Sequence, residues 1–227
     1  MEKFAQIYQR AADRKGGADH LESLMPEVKD ARALKQLSDA DYLSAMAKKI
    51  FQSGFVWRVV ENKWPGFETV LWGFEPAKLA IASDEQIETM AQDTRIIRNF
   101  TKVKAVRENA YFVKNIAKKH GSFGEFIAPW PADDITGLWL YLKANGSRLG
   151  GNTGPYFLRA VGKDTFLCTR DVVAYLIAQG LINKQPNSQR DLKLVQQTFN
   201  DWQQESGRTM SEISRVVSMS VGDNIVL

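Results

Sequence analysis

A helix-opening signal recurs along this chain: a hydroxyl side chain, two further residues, then an acid or amide. It stands at Ser38 to Asp41, Ser83 to Gln86, Ser122 to Glu125 and Thr209 to Glu212. In this arrangement the hydroxyl accepts from a backbone N–H inside the first helical turn, and the third residue reaches back to the cap. Apolar residues at helical spacing follow, such as Tyr42, Leu43, Met46 and Ile50, or Ile87, Met90 and Ala91. Glycines end the runs, as at Lys15-Gly16-Gly17, His120-Gly121 and Asn145-Gly146. Strand-like alternation is scarce and short. A chain cut into many separately capped helices is predicted to be an all-α globule rather than a long bundle or a solenoid.

The pattern predicts a first helix through Phe4, Ile7, Tyr8 and Ala11, then one carrying Tyr42 to Ile50. The stretch 52–67 is rich in aromatics, amides and charges. A helix over its first half sets Gly54, Trp57 and Arg58 on one face, either as a core contact or as the approach to a flat ligand. Pro65-Gly66 reads as a turn, or as the first turn of another helix through Val70, Leu71 and Phe74. Thr101 is expected to cap a long helix whose inward set is Val103, Val106, Ala110, Val113 and Ile116. Helices are also predicted near 154–161 and 170–179, from Ser188 to about Glu205, and from Thr209 onward.

The 227 residues suffice for one large domain or two small lobes. No apolar run has the length of a membrane span, and Met-Glu-Lys-Phe-Ala-Gln lacks the apolar core of a signal peptide. One cysteine, Cys168, excludes an internal disulfide and suits a reducing compartment. His20 and His120 have no metal-ligand spacing, so no metal site is expected. The net charge of +4 is compatible with a polyanion partner. Lys102, Lys104, Arg107, Lys114, Lys118 and Lys119 fall in one helical stretch and read first as a solvated face.

A second informative stretch runs from Arg148 through Gly150, Gly151, Asn152, Thr153 and Gly154 to Pro155. Asn152 or Thr153 is expected to cap the helix that Pro155 opens. Backbone N–H groups there, with Arg148 beside them, suit a phosphate oxygen; a plain helix–helix connection is the alternative. Beyond it, Thr169-Arg170-Asp171 opens an apolar helix. Asp171 suits the positive end of that helix, and Cys168 reads as a small core side chain with no neighbouring histidine to activate it.

Several runs together resemble the bacterial 3-methyladenine DNA glycosylase I family, within the helix–hairpin–helix DNA glycosylases. They are Gly54-Phe55-Val56-Trp57, Gly73 to Ala80 (Gly-Phe-Glu-Pro-Ala-Lys-Leu-Ala), Asp84 to Glu88, Ile96-Ile97-Arg98-Asn99 and Lys102-Val103-Lys104-Ala105. The overlap is good from about Gln52 to Val113. It is looser afterwards, through the glycine hairpin and Ala178-Gln179-Gly180-Leu181-Ile182. The resemblance implies a two-lobed, all-α domain over residues 1–227, with the helix–hairpin–helix near 138–176. It implies a monofunctional enzyme that needs no cofactor, binds double-stranded DNA containing alkylated bases, flips a 3-methyladenine-like purine and hydrolyses its glycosidic bond. A monomer in the bacterial cytoplasm, at the nucleoid and away from membranes, is the matching expectation.

Carried onto this chain, the resemblance places Lys49, Gln52, Phe55 and Trp57 at the base pocket. DNA contacts fall to Arg148, Gly150, Gly151, Asn152, Thr153, Gly154, Thr169 and Arg170. Asp171 is the expected electrostatic stabiliser, with Glu61 in reserve. Two departures stand out. The family's zinc site has no counterpart, because no cysteine lies near the N-terminus and no histidine follows Cys168. The family's base-reading glutamate, eight positions before the tryptophan, is Lys49 here. The alternatives are therefore a catalytically impaired paralogue that binds damaged or bent DNA, or an all-α interaction protein without a DNA role.

Overall fold

The structure is a computed structural model and describes residues 2–222. Along the chain run α1 (Phe4–Arg14), α2 (Ala18–Ser23), α3 (Ala31–Gln36), α4 (Asp39–Gln52) and α5 (Trp57–Val70). A 3₁₀ turn, Trp72–Phe74, leads to α6 (Pro76–Leu79), α7 (Asp84–Gln92), α8 (Phe100–His120) and α9 (Phe123–Ile127). After a second 3₁₀ turn, Ala132–Asp134, come α10 (Ile135–Asn145), α11 (Thr153–Val161), α12 (Arg170–Ala178), α13 (Gln189–Ser206) and α14 (Met210–Met219). No strand forms among the described residues. The fold is all-α, and no described helix is long and apolar enough to cross a membrane.

The chain divides into two compact units. The first comprises Met1–Val28, Pro131–Leu138 and Asp164–Leu227; the second comprises Lys29–Trp130 and Trp139–Lys163. In the first unit, α14 packs on α1, α12 and α13. Phe166 stacks on Phe199 at 4.2 Å, and the fully buried Trp202 sends its indole N–H to the Glu2 carbonyl. The Asp164 carboxylate accepts from the Met210 and Ser211 N–H groups, satisfying the start of α14 from outside the helix. Cys168 is 3% exposed, and burial pushes its thiol up to about 12.

The second unit is organised around α4 and α8, which pack on one another, with α11 laid against α4 and α6, α7 and α9 against α8. Its core runs from Leu43 and Phe51 through Trp64, Phe67 and Phe74 to Ile87, Val103 and Ala110. Trp64 stacks between Phe67 and Phe74 at 5.0 and 5.3 Å. The apolar spacing seen in the sequence thus faces inward on each helix.

Capping signals placed the helix starts well. Ser38, Ser83 and Thr209 each form the reciprocal capping box. At Ser122 the hydroxyl accepts from Glu125 N–H without the returning bond. Asn99, rather than Thr101, caps α8.

The stretch 52–67 differs more. Helix α4 ends at Gln52, Gly54 takes φ +89° in the connection, and α5 begins at Trp57. Gly54 and Trp57 therefore share no helical face. Pro65-Gly66 is not a turn either. Helix α5 runs through both residues, and a side chain at Gly66 would meet the Arg95 carbonyl at 2.4 Å: the glycine is there for close packing, not for bending.

Candidate functional site

The end of α4, the start of α5 and the start of α11 enclose a cavity of about 130 Å³. Lys49, Gln52 and Ser53 line it from one side, Trp57 from a second, and Asn152, Thr153 and Tyr156 from a third. All of these belong to the second unit. Trp57 and Tyr156 meet edge to face at 5.8 Å and 90°, so the Trp57 ring is held upright while half of it stays exposed. Of the expected pocket residues, Lys49, Gln52 and Trp57 come together here. Phe55 does not line the cavity; its ring lies 4.6 Å from the Lys102 ammonium.

A polar chain runs behind the aromatic wall. The Lys49 ammonium donates to Gln52 Oε1 at 2.8 Å, and Gln52 Nε2 donates to Glu61 Oε1 at 2.8 Å. The other Glu61 oxygen accepts from Lys48 at 3.1 Å. Gln52 is 4% exposed, so its amide orientation is fixed by these two partners. The Lys49 ammonium also sits 5.1 Å over the Trp57 ring. Burial pulls its pKa below the ordinary lysine value, against the opposing pull of Glu61. Burial likewise raises the Tyr156 phenol.

A second, more polar cavity of about 290 Å³ shares Ser53 and Thr153 with the first and adds Ile50, Lys102, Arg148 and Gly150. Lys102 is an exception to the reading of its basic run as a solvated face. It is buried, and its ammonium donates to the carbonyls of Ile50 (2.7 Å), Phe51 and Ser53, capping the C-terminus of α4. Burial and the nearby Arg148 hold its pKa down. Arg107 is also engaged, with Asp84 at 2.7 Å and the Ala82 carbonyl at 3.0 Å. Lys104, Lys114, Lys118 and Lys119 are exposed.

The glycine turn between α10 and α11 is a tight connection. Gly151 takes φ +59° and Arg148 φ +57°, and a side chain at Gly154 would meet the Leu149 carbonyl at 2.6 Å. The fully buried Asn109 of α8 clamps the turn, donating to the Ser147 carbonyl at 2.9 Å and accepting from its N–H at 2.8 Å. Asn152 precedes α11 in a right-handed conformation, and its side chain does not make the expected cap bond; Thr153 is already the first residue of the helix. Arg148 and Asn152 are exposed, while Gly154 is buried.

Three expected site residues lie in the first unit. Thr169 caps α12, accepting from Val172 N–H at 3.3 Å. Arg170 projects into solvent with its Nε 3.9 Å from Asp171. The Asp171 carboxylate is about one-quarter exposed and packs against the backbone at Gly222. Among the described residues no cluster of three or more His, Cys, Asp and Glu side chains could hold a metal ion.

Residues 33–137 match the family model described as methyladenine glycosylase. Those residues carry α4, α5 and α8, and with them Lys49, Gln52 and Trp57. Over that stretch the chain is similar to the methyladenine glycosylase family. Among curated proteins it is 29% identical over 76 residues to DNA-3-methyladenine glycosylase 1 of Escherichia coli (strain K12), a match spanning 34% of this chain and 41% of that relative. The fold resembles 3-methyladenine DNA glycosylase I of Staphylococcus aureus with a TM-score of 0.50 at 23% identity, covering 55% of this chain and 77% of that one. It also resembles the 8-oxoguanine DNA glycosylase of Methanocaldococcus jannaschii with a TM-score of 0.57 at 15% identity, covering 94% and 92%. The family match does not reach the glycine turn, and the longer structural likeness is one of fold.

Proposed function

We propose that this chain is a DNA N-glycosylase of base-excision repair: it flips a damaged purine, alkylated adenine being the candidate suggested by the family model it matches, and hydrolyses the glycosidic bond. The observation that carries this reading is the Trp57–Tyr156 cavity beside the glycine turn, in a chain whose residues 33–137 match the methyladenine glycosylase model. An extruded base needs a flat face to replace its lost stacking. Base–aromatic stacking supplies about 1–3 kcal/mol, comparable to the few kcal/mol that flipping costs. The turn backbone, exposed at Gly151 and Asn152, is suited with Arg148 to the phosphates of double-stranded DNA and reads no sequence.

The sugar develops oxocarbenium-like charge as the base leaves, and a carboxylate lowers that barrier. Asp171 is our first assignment for this role and Glu61 the second. The chemistry is monofunctional in this reading: the nearest lysine after the turn, Lys163, is buried with its ammonium donating to the Ala128 and Trp130 carbonyls, not poised as a nucleophile. We place the enzyme in the bacterial cytoplasm, at the nucleoid, acting as a monomer without a cofactor.

The test is release of free base from alkylated duplex, run beside Asp171→Asn and Glu61→Gln. Release by the native chain with a loss of about 10²-fold or more in one variant supports both enzyme and assignment. Full release by both variants would overturn the carboxylate assignments and leave the enzyme. A second reading, a protein that binds damaged DNA without cleaving it, is favoured by the cation in the pocket wall. Salt-dependent binding without release of any base would establish it.

A further inference from the structure

The cavity has a feature that bears on which base it accepts. Trp57 presents the face on which a flipped base would stack, and a cationic base would gain from the negative face of that ring. Here the protein's own Lys49 ammonium sits 5.1 Å over the ring. The ammonium is held by Gln52 Oε1, whose amide is fixed by Glu61, itself paired to Lys48. The charge balance of this cluster is two cations against one carboxylate. A positively charged guest would therefore meet a wall of its own sign, on a ring already engaged by a cation.

Gln52 Oε1 is a poor acceptor for a cationic guest, because any group that approaches it also meets the ammonium it already holds. Its oxygen serves Lys49, and the amide cannot flip without setting its N–H₂ against the ammonium. The ammonium carries three N–H groups, one of them given to Gln52, so the Lys49 side of the cavity presents charged donors to a guest.

We infer that the cavity takes a neutral purine presenting an acceptor edge, an oxopurine such as hypoxanthine or 8-oxoguanine, and that Lys49 is the group that reads that edge and protonates the departing base. The inference rests on the glycosylase reading for its chemistry. When a cationic N-alkylpurine leaves, it takes the electron pair of the C1′–N bond and departs neutral, without help. When a neutral purine leaves, the same electron pair makes it an anion. The Lys49 ammonium gives that nitrogen or oxygen a proton; water adds its oxygen to C1′, and the proton that water sheds restores the ammonium through solvent. Burial already pulls the Lys49 pKa down, which makes it the stronger acid.

Two measurements separate this inference from the reading beneath it. The first is base release from duplexes containing hypoxanthine, 8-oxoguanine, 7-methylguanine or 3-methyladenine. The native chain is expected to release an oxopurine faster than either methylated purine, and Lys49→Gln to slow that release by about 10²-fold or more, the usual weight of a general acid. Lys49→Glu is expected to reverse the order in favour of the cationic bases, with thermal unfolding of both variants confirming that they fold.

The second measurement needs no chemistry: quenching of tryptophan fluorescence by inosine and by the cationic 7-methylguanosine in mildly acidic buffer. Inosine is expected to bind more tightly to the native chain and less tightly to Lys49→Gln. Equal or preferred release of 3-methyladenine, unchanged in Lys49→Gln, overturns the inference and leaves the glycosylase. Absence of release with Lys49-dependent inosine binding removes the glycosylase and with it the acid role, while the selectivity of the cavity stands. Preference for 7-methylguanosine, or no binding and no release at all, overturns the inference outright.

Discussion

At the scale of single residues, lysines carry most of what composition could not reveal. Lys49 and Lys102 look alike in the sequence, each one charge among many. In the fold one lines an aromatic cavity and the other plugs a helix end. A lysine in a basic run is ordinarily solvated, and only the geometry of its neighbours says otherwise. The Lys49 ammonium is expected to titrate below the ordinary lysine value of 10.5, readable by NMR of isotopically methylated lysines. Glu61→Gln removes the group that raises it and should move it further down; an unchanged or higher value would contradict the pocket geometry. The stability consequence has a definite sign. With its folded pKa below its unfolded one, Lys49 binds fewer protons when folded, so its contribution makes the fold more stable as pH climbs through that interval toward 10.5.

At the scale of elements, helix starts were legible because caps are local chemistry: Ser38, Ser83, Ser188 and Thr209 act within a few residues of themselves. Two features that depend on distant atoms were not. Gly66 lies inside helix α5 as a packing residue, since the Arg95 backbone, far along the chain, leaves no room there for a side chain. The glycine turn keeps its form because Asn109 of α8 holds Ser147 by both amide groups. Each yields a prediction. Gly66→Ala should cost about 1–3 kcal/mol in urea unfolding, the usual range for an overpacked position. Asn109→Ala, by leaving the Ser147 backbone groups without their partner, should cost about 1–3 kcal/mol. It should also weaken duplex binding more than the exposed Lys118→Ala, since it loosens the turn proposed to hold phosphate. Binding equal to that of Lys118→Ala would show that the turn has no such role.

At the scale of the whole molecule, fold class was the most legible property and the functional site the least. The all-α architecture follows from repeated caps and helical spacing, both of which are summed over many residues. The cavity, by contrast, joins Lys49, Trp57 and Tyr156 from helices α4, α5 and α11, and nothing in the sequence pattern brings Tyr156 to Trp57. Tyr156, Ser53 and Lys102 were accordingly not among the expected site residues. The duplex binding proposed for the turn should weaken with salt, its logarithm falling linearly with the logarithm of salt concentration. Arg148→Ala should flatten that slope by about one phosphate contact. An unchanged slope would place the DNA-binding surface elsewhere.

The buried Cys168 has a practical corollary. Its sulfur is 3% exposed and stays protonated at neutral pH, so the native chain should ignore maleimides. A single Val56→Cys replacement, at a site 67% exposed one residue before Trp57, would then be the sole point of attachment for a dye. Its emission would report, in real time, whatever enters or leaves beside that indole.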